Sequence, residues 1–143
     1  MSAVLIAEKL GGQQVLRARV RSELELADLI HGGLPTRSLD LVLEKGLLDP
    51  SEVYVLIVPR RTLAHRKEKR QSLTSEQSDR LTRVVRVFVR AEEALGNQEK
   101  AARWMRKENR ALGGRRPMDL LESDVGARSV ERVLGRIEHG VYS

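Results

Sequence analysis

Residues 109–143 read NRALGGRRPMDLLESDVGARSVERVLGRIEHGVYS, and this stretch carries the clearest folding signals of the chain. Its Gly-Gly-Arg-Arg-Pro run at residues 113–117 predicts a tight turn before a short helical segment. Beyond the turn, Leu, Val and Ile recur at three- and four-residue spacing, which predicts an amphipathic helix. Ser123 or Asp124 is suited to cap the start of this helix, and Gly140 is suited to end it. The stretch is therefore typical of a small helical domain.

Helical spacing also dominates the sequence that precedes this stretch. Thr74 and Gln77 form a capping box for a long helix that should end at Gly96, and Asn97 is suited to cap the next helix. Only four of the 143 residues are aromatic, so Leu and Val must supply most of the core. No segment after residue 20 has a convincing strand pattern. The chain is predicted to be all-α.

A helix-turn-helix is predicted in the middle of the chain. The run Asp-Pro-Ser-Glu at residues 49–52 supplies an acidic N-cap, a proline at the first helical position and an acid three residues after the cap. Pro59 cannot continue that helix, because its ring would clash with the preceding turn and it has no N–H to donate. It can open a second helix that runs to about Arg70, with Leu63 and Ala64 facing inward. Two short helices joined by a tight turn are typical of the motif.

The first part of the chain has weaker signals. A short helix is expected over residues 23–31, and Thr36 is suited to cap another over residues 37–45. Residues 1–20 have no clean period: Val15, Leu16 and Val20 could form a short strand or pack on the next domain, and a flexible arm fits equally well. The expected domains are a poorly defined N-terminal arm over residues 1–20, a helix-turn-helix domain over residues 21–72 and a second helical domain over residues 73–143.

The positive charge is concentrated in the second helix of the predicted motif. The formal net charge is +6, and residues 60–75 alone carry six basic side chains and one acidic side chain. Arginines at a helix N-terminus attract phosphate, so the segment indicates polyanion binding. The alternative is a solvated basic helix without a ligand, and the position after Pro59 favours contact with DNA. The predicted DNA-binding residues are Arg60, Arg61, Thr62, His65, Arg66, Lys67 and Lys69.

Three other groups of residues are assigned structural roles. Arg83, Arg86 and Arg90 share a stripe on the long helix, which is interpreted as a solvated face rather than a second binding surface. The turn at residues 113–117 lacks the spacing and the Lys-Ser/Thr pair of a phosphate-binding loop, so it is interpreted as a structural turn. Trp104 is the only tryptophan and is expected to lie in the core.

No catalytic, metal or cofactor site is predicted. The chain has no cysteine, which excludes disulfides, thiolate metal sites and a cysteine nucleophile. His31, His65 and His139 have no metal-ligand spacing, and no nucleophile elbow or ordered triad is recognisable. An enzyme is therefore disfavoured. No apolar run approaches the roughly 20 residues of a membrane span, and no signal peptide is recognisable, so a cytoplasmic protein is expected.

The segment after the last predicted helix is open to two interpretations. It combines apolar Ile137, Val141 and Tyr142 with polar neighbours. Terminal segments commonly fray, but a Tyr beside a Val is also typical of an interface anchor. The residues alone leave both interpretations open.

Several features of the chain match one known family. They are Trp104, Leu112-Gly113-Gly114-Arg115-Arg116-Pro117, Asp119-Leu120-Leu121, Gly126-Ala127-Arg128, Val130-Glu131 and Leu134-Gly135-Arg136-Ile137-Glu138-His139-Gly140-Val141-Tyr142. Together they closely resemble the toxin-binding domain of Xre/MbcA/ParS-type antitoxins. The resemblance extends over residues 36–143 and includes an Xre-like helix-turn-helix.

The resemblance implies an antitoxin of a type II toxin–antitoxin system. Its C-terminal helix and tail would bind a RES-domain toxin, a class that degrades NAD, and would block the toxin's active site. The helix-turn-helix would bind the operator of its own operon and repress it. The toxin-binding residues that the resemblance implies are Arg128, Glu131, Leu134, Ile137, Glu138, His139, Gly140, Val141, Tyr142 and Ser143.

The resemblance also implies a homodimer within a larger hetero-oligomer. Residues 75–95 form the longest predicted helix and are a candidate for the dimer contact. The alternative function is a helix-turn-helix transcriptional regulator without a toxin partner, in which the second domain only dimerises.

Overall fold

The computed structural model describes residues 2–140, and these residues contain nine α-helices and no strand. The helices are α1 (Ser2–Lys9), α2 (Gly12–Leu16), α3 (Glu23–Gly32), α4 (Thr36–Glu44), α5 (Pro50–Leu56), α6 (Arg60–Glu68), α7 (Ser75–Leu95), α8 (Gln98–Met105) and α9 (Asp124–Glu138). Two 3₁₀ turns, Arg110–Leu112 and Pro117–Leu120, lie between α8 and α9. The predicted all-α class is confirmed. None of these helices is long and apolar enough to cross a membrane.

Contacts divide the chain into two units, Met1–Val85 and Arg86–Ser143. The division falls inside α7, later than the boundary at residue 73 that the sequence predicts. The first turns of α7 belong to the first unit because they complete its core. The hydroxyl of Ser78 there accepts a buried hydrogen bond of 2.7 Å from the backbone N–H of Leu34. No Pro- or Gly-rich linker marks such a boundary, so the sequence does not reveal it.

Residues 2–16 form the helices α1 and α2, rather than a short strand or a flexible arm, and Leu16 and Val20 are buried, as expected if this segment packs on the helices that follow. The glycine pair Gly11-Gly12 adopts positive φ angles and makes the turn between α1 and α2. The hydroxyl of Ser38 in α4 donates a buried hydrogen bond of 2.7 Å to the carbonyl oxygen of Leu10. Ile6 and Leu10 are buried, so this segment belongs to the core of the first unit.

The start of α4 also differs from the prediction. Pro35 occupies the N-cap position and Thr36 is the first helical residue, so Thr36 does not cap the helix. The segment before it is held by Leu34, whose carbonyl oxygen accepts a hydrogen bond from the N–H of Leu73. Gly33 has a φ of 91°, and a Cβ there would lie 2.3 Å from the Leu73 carbonyl oxygen. Only glycine permits this close approach of two backbone segments.

The second unit contains the Gly-Gly-Arg-Arg-Pro turn at residues 113–117. Asn109 is buried, and its carbonyl oxygen accepts hydrogen bonds from the N–H groups of Leu112 and Gly114. Its side chain accepts a further bond of 3.0 Å from the N–H of Ala111. The N–H groups of Ala111, Leu112 and Gly114 are thus all hydrogen-bonded within the turn. The predicted structural turn is confirmed.

Helix α7 is apolar on more than one face. Leu81, Val84, Val85, Val87, Phe88, Val89 and Ala91 are all buried. Little apolar surface of α7 is therefore left for a second copy of the chain, which argues against this helix as the dimer contact. Trp104 in α8 is partly exposed, contrary to the prediction, because the core face of α8 consists of Ala101 and Met105.

Candidate binding surfaces on α6 and α9

The helix-turn-helix lies where the sequence predicts it. The carboxylate of Asp49 caps α5 by accepting a hydrogen bond of 2.9 Å from the N–H of Glu52. In return, the carboxylate of Glu52 accepts a hydrogen bond of 3.0 Å from the N–H of Asp49. At the other end of α5, the N–H groups of Ile57 and Val58 both donate to the carbonyl oxygen of Val53. Ile57 and Val58 are buried. The turn is therefore held on both its backbone and its side chains, and this fixes where α6 begins.

Helix α6 is a surface helix that is held by one buried side chain. Leu63 is its only buried residue, and Ala64, which the sequence predicts to face inward, is exposed. Neighbouring residues in a helix point in directions about 100° apart, so a single narrow anchor leaves Ala64 outside. The helix ends at Glu68 rather than at Arg70, which takes a left-handed φ of 55°.

The seven predicted DNA-binding residues fall into two groups. Two of them brace the first unit. Arg66 donates a bond of 2.6 Å from Nε to the carbonyl oxygen of Ser72, and Lys67 Nζ lies 2.6 Å from Asp40 Oδ1. The other five are exposed, and no carboxylate in the described part of the chain pairs with their side chains; they are Arg60, Arg61, Thr62, His65 and Lys69.

The N-termini of α5 and α6 differ in capping and in charge. The first turn of α5 is filled by the carboxylates of Asp49 and Glu52. The N-cap of α6 is Pro59, which offers no side-chain acceptor, and its first turn contains no acid. The first N–H groups of α6 are thus accompanied by Arg60 and Arg61, an arrangement that attracts phosphate.

Helix α9 is anchored by its core face and by a close approach at its start. Its buried residues are Gly126, Ala127, Val130, Val133 and Leu134. The hydroxyl of Ser123 caps the helix by accepting a bond of 3.0 Å from the N–H of Gly126. A Cβ on Gly126 would lie 2.0 Å from the carbonyl oxygen of Leu120, so glycine is required there. The start of α9 therefore lies directly against the second 3₁₀ turn.

A second face of α9 pairs with the arginines of α7. Glu131 receives a two-pronged contact from Arg86, with Nη2 at 2.8 Å and Nε at 3.2 Å from Oε1. Arg86 also lies 3.8 Å from Asp124, and Arg90 lies 3.2 Å from Glu138. Asp124, Glu131 and Glu138 are seven residues apart, so they line one flank of the helix. These contacts bury most of Arg86 and Arg90, contrary to the predicted solvated face.

A third face of α9 points away from the core. Val125 begins it and is 72% exposed. The remaining members are exposed and basic or titratable at helical spacing; they are Arg128, Arg132, Arg136 and His139. Arg132 and Arg136 are not among the toxin-binding residues that the resemblance implies. Their four-residue spacing from Arg128 was a usable signal, because residues four apart share one helix face.

The predicted toxin-binding residues are spread over these faces. Arg128, His139 and Gly140 are exposed, and Ile137 is partly exposed. Leu134 is 0% exposed and lies in the core, so its side chain is not available to a partner. Glu131 and Glu138 are turned toward α7. The remaining three predicted residues, Val141, Tyr142 and Ser143, lie outside the described residues.

The architecture defines a helix-turn-helix protein with an added C-terminal helical domain. Residues 25–86 match the family model of the antitoxin Xre-like helix-turn-helix domain. Residues 90–140 match that of the antitoxin Xre/MbcA/ParS C-terminal toxin-binding domain.

Three similar proteins are each named antitoxin Xre. The one from Pseudomonas putida is 34% identical, over 95% of this chain and 92% of its own length. The one from Yersinia enterocolitica is 40% identical, over 60% of this chain and 59% of its own. The one from Photorhabdus laumondii is 30% identical, over 80% of this chain and 79% of its own length. The chain belongs to the Xre family of antitoxins, and it carries both the helix-turn-helix and the toxin-binding domain of a toxin–antitoxin system.

Proposed function

We propose that this antitoxin neutralises a RES-domain toxin that degrades NAD, by covering the toxin's active site with the end of α9 and the tail that follows. The described residues proposed to contact the toxin are Arg128, in the second turn of α9, and Ile137, His139 and Gly140 at its end. Val141, Tyr142 and Ser143 of the tail complete the proposed surface. Leu134 is left out because its side chain is buried.

The observation that carries this proposal is the exposure of the C-terminal end of α9 inside the segment that matches a toxin-binding domain. The core face and the α7 flank of the helix are occupied within the unit, so only the outward face and the end of the helix are accessible. The choice of a RES-domain toxin rests on the resemblance of residues 104–142 to antitoxins of that partnership. Occlusion of an active site requires no chemistry from the antitoxin itself.

The test is NAD consumption by the RES-type protein of the neighbouring gene, titrated with the full chain and with a chain that ends at Gly140. The shortened chain keeps all of α9 and the Arg90–Glu138 pair, so its fold is expected to be unchanged. A chain that ends at Arg136 would remove Glu138 and serves as a second, more disruptive truncation. We expect the full chain to stop NAD loss at stoichiometric amounts and both shortened chains to fail.

Two results would contradict this proposal. Full neutralisation by the chain ending at Gly140 would exclude the last three residues from the mechanism. No effect of the full chain would reject the RES-type partner. The protein would then be better described as a helix-turn-helix regulator whose second unit serves assembly.

We also propose that α6 binds the operator of the antitoxin's own operon and thereby represses it. Support comes from the uncapped N-terminus of α6, the exposed arginines beside it, and the match to a helix-turn-helix domain. Arg60, Arg61, Thr62, His65 and Lys69 are the proposed contacts. Arg66 and Lys67 are given a bracing role, since each is already bonded within the first unit.

The double variant Arg61→Ala with His65→Ala tests the operator proposal. We expect its affinity for the operator to fall by at least about tenfold, the effect of losing one good contact to DNA. The matched control is Arg19→Ala with His31→Ala, which removes the same side-chain types from exposed positions outside α6. Equal losses in both variants would show that charge alone, and not α6, determines binding.

The proposal also covers the oligomeric state and the location of the protein. The antitoxin forms a homodimer within a larger complex with the toxin, and it acts in the cytoplasm, where both operator DNA and NAD are found. Sedimentation of the antitoxin alone and with the RES-type protein tests the proposed homodimer. A monomer in both samples would reject it.

A further inference from the structure

We infer that the outward face of α9 docks on an acidic surface of the toxin. This inference rests on the proposed function: it adds Val125, Arg132 and Arg136 to the proposed contacts Arg128 and His139, and it specifies the chemistry of the toxin surface that these residues meet. The face is defined as Val125, Arg128, Arg132, Arg136 and His139.

The acidic residues of α9 are already neutralised inside the protein. Glu131 is held by Arg86 and Glu138 by Arg90. Asp124 lies 2.8 Å from Arg128. The negative charges of the helix therefore have partners before any toxin binds, and they are turned to the flank rather than outward.

Two of the three arginines of the outward face, Arg132 and Arg136, have no such compensation. In residues 2–140, no carboxylate pairs with Arg132 or Arg136, and both side chains are exposed. Arg128 is 68% exposed even though it pairs with Asp124. With a rise of about 1.5 Å per residue, the three arginines form a row about 12 Å long. A partner that covers this row must supply negative charge, since an unpaired buried cation is costly.

A protein fits this face better than DNA or a second copy does. Val125 gives it an exposed apolar end, and arginine beside apolar anchors is typical of protein interfaces. DNA is the proposed ligand of α6, in the segment that matches a helix-turn-helix domain, whereas α9 lies in the segment that matches a toxin-binding domain. A symmetric contact with a second copy would bring like arginines together, because an isologous interface uses the same patch on both subunits.

The test compares binding of the RES-type protein of the neighbouring gene to the wild-type chain and to Arg132→Glu/Arg136→Glu, at low and high salt. We expect the double reversal to weaken binding by about tenfold or more at low salt, and by much less at high salt, because exposed charges are screened. Arg132→Lys/Arg136→Lys keeps the charge and should retain most of the affinity. The matched control is Lys107→Glu/Arg110→Glu, two exposed cations of the same unit, which should change the affinity by less than about threefold.

The possible failures are distinguishable. If the wild-type chain does not bind the RES-type protein, the proposed function fails and this inference fails with it. If the wild-type chain binds and Arg132→Glu/Arg136→Glu binds equally well with the same salt dependence, only this inference is overturned. It is also overturned if the reversal leaves toxin affinity intact but lowers affinity for duplex DNA or converts a dimer to a monomer. Circular dichroism and thermal unfolding confirm that the variants keep the wild-type fold.

Discussion

Helices α6 and α9 both expose arginine side chains, but they are anchored in opposite ways. Helix α6 buries one side chain, Leu63, and starts at a proline without a side-chain cap. Helix α9 buries five residues, starts at a Ser123 cap and pairs its acids with α7. The first is a surface element held at one point. The second is a core element with one free face.

Because of this difference, substitutions in α6 and in α9 should affect binding and stability differently. Nearly every side chain of α6 can change without loss of core packing, so variants there should act on binding. In α9, residues proposed to bind lie next to core residues. A substitution there can therefore change both binding and stability. Variants that change only one face of α9 at a time are therefore needed to separate binding from stability.

The largest effect is expected for Gly126→Val. The new Cβ would overlap the Leu120 carbonyl oxygen, and a backbone atom cannot move aside as a flexible side chain can. We expect a destabilisation of about 3 kcal/mol, the upper part of the usual range for overpacking, and loss of toxin binding. Thermal unfolding and a toxin-binding assay measure the two effects.

The matched control for this prediction lies in the same helix. At Gly135 a Cβ would meet only the end of the Arg90 side chain, at 3.2 Å. Gly135→Ala should therefore be neutral or stabilising by up to about 1 kcal/mol, because alanine favours the helix. If both glycine variants destabilise equally, the close approach at Gly126 is not what anchors α9.

A smaller loss is expected for Leu63→Ala, which removes the single anchor of α6. Truncation of a buried leucine costs about 2–5 kcal/mol, and the lower end applies here because the site lies near the surface. Operator affinity should fall although no DNA-facing side chain has changed. Ala64→Ser, at the exposed neighbouring position, is the control and should leave stability and operator affinity unchanged.

A still smaller effect is expected for Glu131→Gln, which tests the flank of α9. The substitution weakens the contact with Arg86. Because both side chains are partly exposed, we expect a loss of about 1 kcal/mol, below the roughly 1.5–3 kcal/mol of a hydrogen bond to a charged group. Toxin affinity should be unchanged, because this flank faces α7. A loss of toxin affinity with unchanged stability would return Glu131 to the toxin-binding surface that the sequence predicts.

Local signals in the sequence predicted most of the secondary structure. The capping boxes at Asp49 and Thr74, the caps at Asn97 and Ser123 and the glycine turn at residues 113–117 all act within a few residues, and all are present. What the sequence did not reveal depends on packing between distant segments. The burial of α1 against α4 is one example.

The candidate sites divide in the same way. Pro59 and the basic run that follows it located α6. Helical periodicity could not distinguish a solvated arginine on α7 from one that pairs with α9. Arg86 and Arg90 have the spacing of an exposed stripe, and only the position of Glu131 and Glu138 reveals their role. For the same reason, Leu134 could be read either as a binding residue or as core.

The smallest effect is expected at the 3₁₀ turn that supports the start of α9. Arg116 donates to both oxygens of Asp119, at 3.0 and 2.7 Å, and these hydrogen bonds hold the pKa of Asp119 below its ordinary value of 3.8. Because the folded-state pKa is lowered, the stabilisation is present above the ordinary value and is lost as pH falls through the folded-state value. Both side chains are about half exposed, so at most about 0.5 kcal/mol is expected.

Asp119→Asn should therefore unfold slightly more easily than the wild type at pH 7, and the difference should disappear as pH falls through the folded-state pKa of Asp119. Arg116→Gln should produce the same loss, and the double variant should add nothing to it, since both substitutions remove one contact. Denaturant unfolding of the four proteins at pH 7 and in acid measures the coupling. A difference that persists in acid would mean that Asp119 stabilises the turn through packing rather than through its charge. Helix α9 would then be anchored by shape alone at both Gly126 and this turn.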